Sequence, residues 1–133
     1  MFEIGVLDEF EAAHALSGDF GPATRLHGHT YKVEVRIEAS EIDSTGTFFD
    51  LGKLRSNVRS VLEKLHYRNL SVLESFAGTN TTSEVVARYI FSQLAPDARA
   101  GRAATLKVTV WESSSCFASY RESFEAEAQS DPR

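Results

Sequence analysis

The sequence predicts an α+β fold, a four-stranded antiparallel sheet with two helices packed on one face. Three observations carry this expectation. Apolar and polar residues alternate over Phe2–His14 and again, more cleanly, over His27–Ala39. Two stretches between residues 51 and 94 instead repeat their apolar positions at helical spacing. Two shorter alternating stretches then follow, so the order reads ββααββ, with the strands grouped at either end.

Each element has a local reason. In the first, Phe2, Ile4, Val6, Phe10, Ala12 and His14 share a parity and therefore one face of a long strand. Ser17–Thr24 reads as a loop from its Gly, Pro, Ser and Asp content. In the second strand Val33, Val35 and Ile37 face one way, and Lys32, Glu34, Arg36 and Glu38 the other. A turn region, Ser40–Thr47, follows. The first helix is expected over Leu51–Leu65, with Leu54, Val58, Val61 and Leu62 on its apolar stripe and Asp50 as its N-cap. The second opens at "TTSE", where Thr81 and Glu84 have capping-box spacing, and Pro96 is expected to stop it. Leu106, Val108 and Val110 mark the third strand and Cys116–Phe124 the fourth. Residues 1–126 are read as a single domain and residues 127–133 as a polar tail.

Composition narrows the function. The chain has 133 residues, 42% of them hydrophobic, and a formal net charge of −5. That charge argues against a nucleic-acid surface, which draws on clustered Lys and Arg. No apolar run approaches the roughly 18 residues that cross a bilayer, so no membrane partner is expected. The acidic N-terminal stretch lacks the apolar core of a secretory signal. Cys116 is the only cysteine. It leaves no internal disulfide and is read as a small buried hydrophobe, and a cytoplasmic setting is expected.

"RLHGHTYKVEV" holds two of the four histidines. Residues i and i+2 of a strand point to the same side, so His27 and His29 project together. If the first two strands pair in antiparallel fashion, the loop between them brings His14 to the same end of the sheet. Three neutral imidazoles with one open position suit a catalytic zinc ion. An H-x-H pair on a strand is also an ordinary surface or core feature. Gly28 leaves room there for backbone or ligand. Glu112 continues the parity of Leu106, Val108 and Val110, which places a carboxylate at the rim of the buried face.

In combination these segments resemble a known family. "FEAAH" (10–14) followed by "LHGHTYKVEV" (26–35), then "FFDLGKL" (48–54), "RNL" (68–70), "TTSEVVARYI" (81–90) and "VTVWES" (108–113) are similar, in order and spacing, to the 6-pyruvoyl-tetrahydropterin synthase and 6-carboxytetrahydropterin synthase family. The resemblance implies the tunnelling fold, in which the sheets of several subunits close into a barrel, as a trimer or a hexamer of two stacked trimers. It implies active sites between subunits and Zn2+ on His14, His27 and His29. It also implies a pterin ring anchored by Glu112, with Thr82 beside it. A carboxylate can accept two parallel hydrogen bonds from the ring's 2-amino group and N3–H.

Two departures bear on the reaction. The family's synthases carry a cysteine in the loop before H-x-H, where "GPATRL" places Gly21 and Ala23. No glutamate stands there either, and Asp19, the nearest carboxylate, reads as a turn residue. The family's Asp-His pair before "RNL" is replaced by His66 and Tyr67. An imidazole with an unperturbed pKa of about 6.5 suits proton transfer, and a phenol can donate a proton. The expected function is that of a zinc-dependent, 6-pyruvoyl-tetrahydropterin synthase-like lyase. It would act on the C6 side chain of 7,8-dihydroneopterin or its triphosphate, with His66 and Tyr67 sharing the acid and base work. A retro-aldol cut giving 6-hydroxymethyl-dihydropterin asks least of the missing residues. The competing expectation is a paralogue that binds zinc and pterin without turnover.

Overall fold

The computed structural model describes residues 1–124. The strands are β1 (Phe2–His14), β2 (His27–Ala39), β3 (Arg68–Asn69), β4 (Thr105–Trp111) and β5 (Phe117–Ser123), and the helices are α1 (Leu51–Glu63) and α2 (Ser83–Ala100). The proposed tail, 127–133, and the end of the expected domain lie outside the described residues.

The expectation of four antiparallel strands is corrected. Among the described residues the sheet has five strands in the order β3-β1-β2-β4-β5, and β3 runs parallel to β1. The extra strand is short and edge-bound. After α1 the chain is anchored by buried Leu65 and Leu70. Between them Tyr67 donates its N–H to the Glu11 carbonyl at 2.6 Å, which brings Arg68 and Asn69 alongside Ala12 and Ala13. The other four strands pair in antiparallel fashion as expected.

β1 and β2 pair over their whole length, from Phe2 opposite Ala39 to His14 opposite His27. This register puts Val6, Phe10, Ala12, Tyr31, Val33, Val35 and Ile37 on one face, where they are buried together with Leu106, Val108 and Val110 of β4. Both helices cover that face, α1 over β1 and α2 over β4 and β5. Leu54, Val58 and Leu62 of α1 and Val86, Ile90 and Leu94 of α2 supply the other half of the core. Burial at this scale, roughly 1.5–3 kcal/mol per large aliphatic side chain, is what holds the helices to the sheet.

The helix ends differ from expectation in three ways. α1 stops at Glu63, although Leu65 is buried just beyond it. Its N-cap is Asp50, as expected, which accepts the Lys53 N–H at 3.2 Å. α2 is capped by Thr82, not Thr81, since Val85 donates its N–H to Thr82 Oγ1. Pro96 lies inside α2, which continues to Ala100. A proline there removes one bond to the carbonyl four residues back, that of Ser92. Ser92 and Pro96 are both exposed, so water reaches that carbonyl, while buried Ala95 and Ala98 keep the last turn on the core. Among the described residues no helix is long and apolar enough to cross a membrane.

Candidate functional site

The β1–β2 register places His14 directly opposite His27 and Ala12 opposite His29, so the three imidazoles share the core face at one end of the sheet. Their ring centroids lie 4.6, 5.2 and 4.9 Å apart for the pairs His14–His27, His14–His29 and His27–His29. One nitrogen from each lies within 4.8 Å of the others. His14 is buried at 3% exposure, and His27 and His29 are half-buried, so the cluster opens to one side.

Two of the rings are held in a defined tautomer. His14 donates Nδ1–H to the Thr81 carbonyl at 2.7 Å, and His27 donates Nδ1–H to the Arg25 carbonyl at 2.7 Å. In the neutral ring this leaves Nε2 as the acceptor, the arrangement that metal-binding histidines take from their outer partners. Burial holds His14 below its ordinary pKa, and the neighbouring His27 and His29 push the same way. A neutral ring is the form that ligates metal. The three imidazoles therefore fit the donor set of a zinc ion with one position left over.

The floor of the cluster is Tyr31, fully buried and stacked on Phe10 at 4.8 Å. Burial raises its phenol well above the usual range, with the Glu112 charge adding to the effect. Its hydroxyl is 3.4 Å from His14 Nε2, too long to claim that nitrogen's lone pair strongly.

Glu112 reaches the same end of the sheet one residue beyond β4. Its charge acts on both His14 and Tyr31. The carboxylate accepts a 2.6 Å hydrogen bond from Ser83 Oγ, and its backbone N–H donates to the Cys116 carbonyl. Three consecutive residues thus serve three purposes. Thr81 orients His14, Thr82 caps α2, and Ser83 holds Glu112.

The structure brings His14, His27, His29 and Glu112 to one end of the sheet, while Thr82 spends its hydroxyl on the α2 cap. His66 and Tyr67 are placed differently. His66 Nδ1 accepts the Glu11 N–H at 3.1 Å, and its ring stacks on Tyr67 at 3.9 Å. Tyr67 sits at φ +60°, a left-handed conformation uncommon outside glycine, and is 77% exposed at the β3 edge. With Arg68 and His29 it lines an open cleft of about 520 Å³. Asp19 is exposed in the loop that precedes a 3₁₀ turn at Gly21–Thr24. Cys116 is exposed rather than buried, because it lies in the β4–β5 connection outside the core.

Tyr31, Thr81 as a partner of His14, and Ser83 were not among the expected site residues. Tyr31 had a signal, since it continues the i, i+2 series of His27 and His29. Thr81 acts chiefly through a backbone carbonyl, which no side-chain pattern reports.

The family model for 6-pyruvoyl tetrahydropterin synthase matches residues 3–123. The chain is similar to 6-carboxy-5,6,7,8-tetrahydropterin synthase of Haemophilus influenzae, 29% identical with 92% of this chain and all of that protein covered. It is similar to dihydroneopterin monophosphate aldolase of Pyrococcus furiosus, 32% identical over 77% of this chain and 82% of the other. Among solved structures, that of 6-pyruvoyl tetrahydropterin synthase from Caenorhabditis elegans superposes with a TM-score of 0.80 at 31% identity, covering 92% of this chain and 96% of that one.

Proposed function

This chain belongs to the 6-pyruvoyl tetrahydropterin synthase family, and on that premise we propose that it is a zinc-dependent lyase acting on the C6 side chain of 7,8-dihydroneopterin or a phosphate ester of it. The observation that carries the reading is the convergence of His14, His27 and His29, the first two each held through Nδ1 by a backbone carbonyl, at the end of the sheet where Glu112 also arrives.

Each group has a task. His14, His27 and His29 hold the metal, which when bound polarises a side-chain oxygen and eases loss of a nearby proton. Glu112 takes the 2-amino group and N3–H of the pterin, with Thr82 beside the ring. The reacting carbons are thereby fixed relative to the metal, the positioning on which much of an enzyme's rate depends. His66 and Tyr67 share the acid and base work of a retro-aldol cut, in which the C2′ hydroxyl gives up its proton and the C1′–C2′ bond breaks. C1′ takes up a proton to leave 6-hydroxymethyl-dihydropterin, and C2′ and C3′ depart as glycolaldehyde or its phosphate ester. That reaction is supported by the likeness to an aldolase and by Gly21 and Ala23 standing where the synthases carry cysteine.

His66 and Tyr67 make their contacts with Glu11 and each other, at an exposed edge of the chain. They reach the metal end of a neighbouring copy in a homo-oligomer, a trimer or a hexamer. The sheet supports such an assembly. Among the described residues β5 is the last strand on one side of the sheet and the two-residue β3 covers only a short part of β1 on the other, and closing sheets into a barrel removes exposed edges. Incubating zinc-loaded protein with dihydroneopterin, its monophosphate and its triphosphate, then resolving products by chromatography, tests the proposal. The expected product is 6-hydroxymethyl-dihydropterin, and failure to convert any of the three refutes an enzymatic role.

A further inference from the structure

The hydrogen bond from Ser83 to Glu112 has a specific consequence for which ring the site accepts. A glutamate carboxylate turns freely about its last torsion, which has broad, two-fold preferences and no staggered wells. Glu112 lies beyond the last paired residue of β4, so the strand itself does not fix that torsion. Ser83 does. It is the first residue of α2, 6% exposed, and its Oγ donates to Glu112 Oε1 at 2.6 Å. Ser83 is itself held, because Thr82 caps the helix and Thr81 packs against His14. The carboxylate is thus tied to the element that orients a metal histidine.

We infer that Ser83 is a positioning residue that sets ring specificity: by pinning one oxygen of Glu112 it aims the carboxylate fork at a 2-amino-4-oxo ring and against a 2,4-dioxo ring. The inference rests on the reading of Glu112 as the ring anchor. The chemistry discriminates sharply. A 2-amino-4-oxo ring offers two adjacent donors, the amino group and N3–H, which match the two oxygens of a carboxylate. A 2,4-dioxo ring replaces the amino donor with a carbonyl, which faces a carboxylate oxygen with no hydrogen between them. A site built to hydrogen-bond a donor rejects the analogue lacking it, because its buried acceptor is left unpaired. That rejection holds only while the carboxylate cannot rotate away. One serine hydroxyl supplies the constraint.

The test measures binding of two ring systems, pterin and lumazine, to zinc-supplemented protein by fluorescence titration. The parent should prefer pterin. Ser83→Ala should weaken pterin binding about tenfold, the scale of one hydrogen bond to a charged group, and lower the pterin-to-lumazine ratio by relieving the clash with lumazine. Ser83→Thr should restore both. Ser83→Cys, of similar size with a weak donor, should behave like the alanine variant and separates loss of the donor from loss of packing. Glu112→Gln should abolish the preference, and adding Ser83→Ala to it should cost nothing further. If Ser83→Ala and Ser83→Cys keep the parent's ratio while Glu112→Gln loses it, Glu112 anchors the ring unaided and the inference is overturned. If Glu112→Gln leaves pterin binding untouched, the anchor reading fails and the inference falls with it.

Discussion

Zinc should raise the unfolding temperature of the metal-free protein by about 10 °C when supplied at a hundred times its dissociation constant. An ion that binds only the folded state at that concentration stabilises it by about 2.7 kcal/mol. Unfolding entropies near 2.1 cal/mol/K per residue give about 0.26 kcal/mol/K for the 124 described residues, and the ratio is about 10 °C. The sign is secure at pH 7.5, because burial already holds His14 in the neutral form that ligates. His29→Ala removes one of three ligands. A loss of at least the roughly 100-fold that an outer-shell partner alone can cost leaves the ion near its dissociation constant at the same concentration, and the shift shrinks to about 1–2 °C. His66→Ala serves as the control and should keep the full shift, since His66 hydrogen-bonds Glu11 and not the triad. The assay is differential scanning calorimetry of chelator-treated protein with and without zinc. If zinc moves the parent by no more than 1–2 °C, or moves His29→Ala as far as the parent, the three imidazoles are not a metal site.

His66→Ala should lower kcat roughly 10²–10⁴-fold, the usual worth of a positioned acid or base, with metal content unchanged. Tyr67→Phe removes only a hydroxyl and should lower kcat without altering stability, given its 77% exposure. Parental rates in both variants on every pterin tried would remove these residues from the chemistry. Arg36 and then Trp111, both hydrogen-bonded to Glu34, hold its carboxyl below the ordinary value. Its contribution to stability is therefore complete above about pH 4.5 and is lost as pH falls through the depressed value of the folded state. Glu34→Gln should show a shallower fall in stability below pH 4.5 in urea titrations at stepped pH, and parallel acid limbs would contradict this.

The long strands were legible because alternation over thirteen residues leaves little freedom of reading, and the triad followed from it. His27 and His29 share a face by spacing, and one antiparallel turn returns them to His14. β3 left no trace because two residues, Arg68 and Asn69, have no period to detect. They pair only because Leu65 and Leu70 are drawn into the core on either side. Pro96 misled because its effect depends on where its missing bond falls, and here it falls toward water. Thr81 and Thr82 are equally good caps by composition. The choice between them is made by His14, which claims Thr81 from across the fold and leaves its neighbour to the helix. Ser83 was hidden for a related reason, its partner Glu112 being far away in sequence.

The full-length pairing of β1 with β2 also bears on misfolding. Strand pairing tolerates slips poorly where one face is buried, because a shift of one residue turns every side chain to the opposite face. A one-residue slip of β2 against β1 would send His27 and His29 to the side away from His14, along with Tyr31, Val33 and Val35. A two-residue slip would spare the apolar pattern, returning those valines to the core, yet it would move His27 off His14. Hydrophobic burial alone discriminates weakly against that second error. An ion held by all three imidazoles does discriminate, since it can form its full set of bonds in one alignment only. The metal end of this hairpin would then act as a proofreader of strand alignment, and chains folded without zinc should carry more slipped pairings than chains folded with it.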